Sequence, residues 1–188
     1  VSASAEPGLL WALRGGGGGG GNFGIVTSLT FDTVPAPQVA TFMLAFPAGS
    51  VPDVLGGWQQ WITSMPDELC SNCHIMGASP PSCTVLGCCV GAASALSPLL
   101  TDLIDRIASQ PTLHTVAQHG YLDAMRYFAG CSSTSAAECH GQAKGWRWNR
   151  EAFVASSRRM TAPVADPAQI ASVCDGRTVL ISSTVSAA

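Results

Sequence analysis

Apolar and polar positions change period several times along these 188 residues, and each change marks an element. Gln38 to Phe46 is short, apolar and rich in strand formers, and it predicts a strand. Val54, Leu55, Trp58, Trp61 and Ile62 then recur at helical spacing within Val51 to Ser64, which predicts a helix that docks on a sheet. Glu68 to Met76 and Thr84 to Val90 read as two more strands, connected through Ser79-Pro80-Pro81-Ser82, and Ser97 to Ser109 repeats apolar positions as a helix. Further on, Leu113 to Ala117 fits a strand, Tyr121 to Phe128 a short helix, Glu151 to Met160 a strand, Pro167 to Val173 a helix and Thr178 to Ser183 a last strand. Strands outnumber the crossovers that a parallel sheet needs. The pattern therefore predicts an α+β fold, an antiparallel sheet covered by helices on one side, with no internal repeat.

The N-terminal stretch has a different texture. Leu9-Leu10-Trp11-Ala12-Leu13 is a short apolar run that precedes seven consecutive glycines, Gly15 to Gly21. Asn22 to Phe31 follows, partly alternating and rich in β-branched residues, and it predicts a strand. Val34-Pro35-Ala36-Pro37 ends it, because proline removes a ladder donor and restrains the residue before it. A domain boundary is placed there, dividing residues 1–35 from residues 38–188.

Composition narrows the partners. Apolar residues make up 47% and charged residues 11%, a balance of a packed chain rather than a disordered one. The net charge is −3 and the nine Lys and Arg are scattered, which gives no footprint for nucleic acid or an anionic membrane. A small-molecule partner is favoured by elimination, and nothing in the sequence sets an oligomeric state. No apolar run reaches the roughly 18–20 residues that span a bilayer. The chain opens on Val1, without the basic start and apolar stretch of a signal peptide, so its natural start is expected upstream.

Seven glycines satisfy the G-x-G-x-x-G pattern trivially, yet that fingerprint works after a strand and before a helix, and here a strand is expected to follow. No Gly-Lys-Ser or Gly-Lys-Thr closes the run, so it is not a Walker-type phosphate loop. A flexible low-complexity loop is the plain alternative. Backbone without side chains also lets another group approach closely and leaves amide donors open, which suits a flat, polyanionic cofactor.

Leu10-Trp11-Ala12-Leu13-Arg14-Gly15 through Asn22-Phe23-Gly24-Ile25-Val26-Thr27 resembles the segment that closes the FAD-binding domain of the PCMH-type flavoproteins. These are the vanillyl-alcohol-oxidase family, including the berberine-bridge-enzyme-like oxidases. The resemblance implies that residues 1–35 end an FAD-binding domain, that its last strand passes beside the cofactor, and that Asn22, Phe23, Gly24, Ile25 and Val26 contact FAD. It continues through Trp58-Gln59-Gln60-Trp61, Pro66-Asp67-Glu68-Leu69, Ser71-Asn72-Cys73-His74, Gly120 to Met125 and Ala137 to His140, which look like the family's substrate domain. The implied activity is oxidase or dehydrogenase chemistry, with hydride passing from a small organic substrate to flavin. The run of glycines is longer than is usual there. The family's N-terminal subdomain and its C-terminal return segment have no counterpart here, so the isolated chain is expected to be inactive. A non-catalytic remnant or small-molecule-binding α+β domain is the alternative from another class.

Other residues invite chemistry without fixing it. Cys70-Ser71-Asn72-Cys73-His74 has the C-x-x-C-H form of a c-type haem attachment, and adding Cys83, Cys88 and Cys89 gives a candidate thiolate set for zinc. Against both, the first stretch lies in an expected strand and the spacing lacks a second C-x-x-C pair, so packing thiols is the favoured account and no metal site is assigned. Cys131 and Cys139 flank a short polar loop that a disulfide would close in an oxidising, extracytoplasmic compartment. His114, His119 and His140 are acid–base candidates that proximity in sequence does not assemble into a site. Arg14 suits a phosphate or a carboxylate equally, and Trp146-Arg147-Trp148 suits stacking, an exposed loop or a sheet edge.

Overall fold

A computed structural model of the chain describes residues 5–14, 22–135, 137–139, 162–177 and 180–186. It divides into two compact units, Val1–Pro35 and Ala36–Ala188.

In the first unit the apolar run is helical. Helix α1 spans Pro7–Leu13 and starts on proline, whose missing N–H would have no partner in a first turn. The expected strand from Asn22 to Phe31 does not form: these residues enter no ladder with any described residue. Composition favours extended backbone there, but a strand also needs a hydrogen-bonded neighbour, and no described residue supplies one. Ile25, Leu29, Phe31 and Val34 are consequently exposed.

The second unit is built on strands β1 (Gln38–Phe46), β2 (Leu69–Met76), β3 (Ser82–Val90), β4 (Leu113–Gly120) and β5 (Leu180–Ser186). They form one sheet in the order β4-β1-β3-β2-β5, every neighbouring pair antiparallel. The helices are α2 (Val51–Ile62), α3 (Ala93–Asp105), α4 (Tyr121–Phe128) and α5 (Pro167–Cys174). The fold is thus the α+β arrangement that the strand count predicts. β4 runs on to Gly120 and β5 to Ser186, past the ends expected from sequence. The strand expected over residues 151–160 lies outside the described residues, as do His140 and Trp146 to Trp148.

The main core lies on one face. Ala40, Phe42 and Leu44 of β1, Leu69, Cys73 and Ile75 of β2 and Cys83, Val85 and Cys89 of β3 alternate inward. They meet Val54, Trp58 and Trp61 of α2 and Leu96, Leu100 and Leu103 of α3, all fully buried. The two tryptophans bring polar N–H groups into this core and both are satisfied. Trp58 Nε1 donates to Ser71 Oγ at 3.0 Å, and Trp61 Nε1 donates to the Leu99 carbonyl at 2.9 Å. Gln59 reaches outward from α2 and exchanges two hydrogen bonds with the backbone of Val164, accepting at 2.6 Å and donating at 3.5 Å. That side chain acts as a strand-like docking point for the segment that leads into α5.

Helix α3 starts at Ala93, earlier than the expected Ser97, and so carries Pro98 in its interior. The early start is capped from far away: the side chain of Gln118 on β4 accepts from Ala93 N at 2.6 Å. Helix α4 treats the sheet differently. Thr41 and His119 point away from the main core, and Tyr127 of α4 stacks on the His119 ring at 5.8 Å. α4 therefore crosses the opposite face, over the start of β1, which explains why Val39 and Thr41 are as buried as their core-facing neighbours.

Candidate functional site

Two places among the described residues have the character of a site. The first is a cleft of about 360 Å³ in the first unit, between α1 and the segment Phe23 to Leu29. Leu9, Leu10 and Leu13 form its helical wall, with the Arg14 side chain beside them, and Phe23 to Leu29 form the other wall. Of the five residues expected to touch cofactor, Phe23, Gly24, Ile25 and Val26 line this cleft and Asn22 does not. Gly24 has φ +150, a backbone conformation that side chains rarely adopt, and a Cβ built on it would meet nothing within 4 Å. No packing among the described residues demands glycine there. Arg14 lines the cleft and makes no ion pair among the described residues.

The second place is the sheet face opposite the main core. Beyond the strip under α4 it is half-buried and mixed in character, carrying Met43, Cys70, Asn72, His74, Thr84, Leu86 and Cys88. At its covered end Thr41 Oγ1 and His119 Nε2 share a hydrogen bond of 3.0 Å. That bond and the stack on Tyr127 fix the ring, so His119 is held by three elements at once, β1, β4 and α4. Tyr121 and Asp123, its neighbours in sequence, are not its partners here, since Asp123 pairs with Arg126 at 2.8 Å. His74 stands on the same face, and partial burial pulls its pKa below the ordinary imidazole value, so it stays neutral to more acidic pH. His114 is exposed, placed opposite Leu44 on the other face.

Strand geometry decides the cysteine motifs. Cys70 and Cys73 are three apart on β2 and face opposite sides of the sheet, so the two thiols of the C-x-x-C-H stretch cannot converge on one porphyrin edge. The larger set divides likewise: Cys73, Cys83 and Cys89 are buried on the helix side, while Cys70 and Cys88 face the other way. Cys73 and Cys83 touch sulfur to sulfur at 3.4 Å, and their hydrogen bond and burial push the Cys73 thiol far up from its ordinary range. It behaves as an apolar core group.

Beyond α4, Cys131 and Cys139 are joined by a disulfide with their Cα atoms 5.8 Å apart. Inside that loop Ser135 N and Oγ both donate to the Glu138 carboxylate, at 2.7 and 2.8 Å, and Glu138 N donates back to Ser135 Oγ at 3.2 Å. This reciprocal pair is a capping box, and it holds the Glu138 carboxyl below the usual range.

No family model matches the chain. Curated relatives do. It is 37% identical over 128 residues to an uncharacterized FAD-linked oxidoreductase, YgaK, of Bacillus subtilis, covering 68% of this chain and 28% of that protein. It is 32% identical over 134 residues to a xylooligosaccharide oxidase of Thermothelomyces thermophilus, covering 68% of this chain and 25% of the other. A solved xylooligosaccharide oxidase from Myceliophthora thermophila, in complex with xylobiose, superimposes with TM-score 0.51 at 30% identity, over 68% of this chain and 27% of that one. The solved structure of FgChi7B superimposes with TM-score 0.55 at 24% identity, over 72% of this chain and 28% of that one, which speaks for the fold. The chain thus spans about a quarter of the length of the curated relatives it matches.

Proposed function

From a chain homologous to about a quarter of an FAD-linked oxidoreductase, we infer that these residues serve a flavin enzyme that oxidises a small organic substrate. The observation that carries the reading is the cleft wall at Gly24. A flat cofactor can lie against backbone only where no side chain stands, and the open space beside Gly24 meets that condition. Ile25 and Val26 offer apolar contact beside it, and Arg14 offers a cation to a phosphate. When bound, FAD supplies the redox chemistry by accepting a hydride. The protein's own part is placement: Phe23 to Val26 hold and orient, and in the second unit the half-buried sheet face carrying Asn72 and His74 offers polar groups to a substrate. The family resemblance to berberine-bridge-like and other PCMH-type enzymes fits this division of labour. The Cys131–Cys139 disulfide favours an oxidising, extracytoplasmic compartment.

Gly24→Val, made in the protein that contains this segment, is expected to lower flavin affinity at least about tenfold, equivalent to roughly 1.4 kcal/mol. Bound flavin per protein, read from visible absorbance, measures it, and circular dichroism checks that the fold persists. Flavin content equal to that of the parent in a folded variant would remove this strand from the cofactor site.

A further inference from the structure

We propose that Cys70 and Cys88 form a cross-strand dithiol, a modification site that hydrogen peroxide or an organic hydroperoxide closes to a reversible disulfide. The two residues are directly opposed in the β2–β3 register. Val90 N donates to Glu68 O at 2.9 Å across the same pair of strands, and two residues along, Cys70 and Cys88 occupy the equivalent hydrogen-bonded pairing. Opposed residues of this kind have Cα atoms about 5.5 Å apart, inside the roughly 4.4–6.8 Å that a disulfide spans. Both side chains point to the face away from the main core, and both are partly open to solvent.

The rival pair makes the inference sharp. Cys73 and Cys83 already touch at 3.4 Å, so sulfur contact alone would favour them. Their register says otherwise: Cys73 opposes Val85 and Cys83 opposes Ile75, which makes the two cysteines diagonal neighbours. Diagonal positions sit about 7–8 Å apart, at or beyond disulfide reach, and both thiols are fully buried where peroxide does not arrive. Contact without reach or access leaves them reduced.

The step balances. The Cys70 thiolate attacks one peroxide oxygen, the O–O bond breaks, and a sulfenic acid forms while the leaving oxygen takes up a proton, giving water from hydrogen peroxide or an alcohol from an organic hydroperoxide. The Cys88 sulfur then attacks the sulfenic sulfur, the S–O bond breaks, water leaves and the S–S bond forms. Two electrons pass from the two sulfurs to the peroxide. Burial, with Cys70 and Cys89 nearby, pushes the Cys88 thiol up, which suits it to the second, resolving position rather than the first attack. An exposed cross-strand disulfide of this kind is readily reduced again by a small dithiol.

The test uses the full chain, stripped of reductant, treated with a few equivalents of hydrogen peroxide, alkylated and mapped by mass spectrometry without reduction. Loss of two of the six free thiols is expected, in one linked peptide joining Cys70 to Cys88, reversed by dithiothreitol. Cys88→Ser should leave Cys70 as a sulfenic acid that dimedone traps, and Cys73→Ala should leave the Cys70–Cys88 linkage unchanged. A Cys73–Cys83 linkage would overturn the proposal. So would recovery of Cys70 and Cys88 as free thiols, or of either as a sulfinic acid with no linked peptide.

Discussion

Gly87→Ala is expected to destabilise the second unit by about 3 kcal/mol or more, lowering its melting temperature by roughly 6–12 °C. Gly87 sits mid-strand in β3, which is paired on both sides, by β1 and by β2. A Cβ there would point into the carbonyl oxygen of Cys70 and come within 2.9 Å of both the Phe42 ring and Ser71 Cα. Flexible side chains can yield, but two of these three obstacles are backbone, and the ladders on either side hold that backbone in place. Relief would have to come from opening the pairing of β2 with β3. Gly120→Ala is the control, because Gly120 has ordinary extended backbone and nothing within 4 Å of its built Cβ. Thermal unfolding of the two variants should differ by nearly the whole effect; equal melting temperatures would show that the β2–β3 approach is looser than described.

The second large effect lies at Trp58. Its side chain is 1% exposed at the centre of the core between α2 and the sheet, and its indole N–H is the donor that satisfies the buried Ser71 hydroxyl. Trp58→Ala removes both and should cost about 3–5 kcal/mol, a large share of the roughly 5–15 kcal/mol that holds a domain together. Trp58→Phe keeps most of the apolar volume and loses the hydrogen bond, so it should cost less. Urea unfolding of the two variants separates packing from polarity. Equal losses would mean that the hydrogen bond dominates the site, contrary to its expected contribution of about 1 kcal/mol.

Where period alone decides structure, the sequence is readable. Val54, Leu55, Trp58 and Trp61 at helical spacing mark the buried face of α2, and the three central strands follow from short apolar runs bounded by proline and polar turns. What sequence does not carry is partnership across distance. The cap on α3 comes from Gln118, 25 residues away, so local reading starts that helix too late. The Thr41–His119 bond joins residues 78 apart, and only the placement of α4 brings them under one cover. Asn22 to Phe31 fails for the converse reason: its composition favours extension, while a strand is a property of two chains' backbones. The glycine run and Gly24-Ile25-Val26 raise the expectation of a cofactor locally, without reference to any partner within the chain, and the open space beside Gly24 is compatible with it. The opposition of Cys70 and Cys88 could be counted from the hairpin, but only once the register across its proline-containing turn is known.

The central claim, that these residues belong to a flavin site completed by further protein, is tested most directly by cofactor content. The protein that contains this segment should carry close to one FAD per chain after purification, visible in its absorbance and identified after denaturation. The isolated 188-residue chain should show no saturable quenching of FAD fluorescence, because one cleft wall replaces only part of the phosphate contacts, each about 1.5–3 kcal/mol, that hold such a cofactor. Saturable micromolar binding by the isolated chain, or a containing protein that purifies and reconstitutes without flavin, would contradict the account.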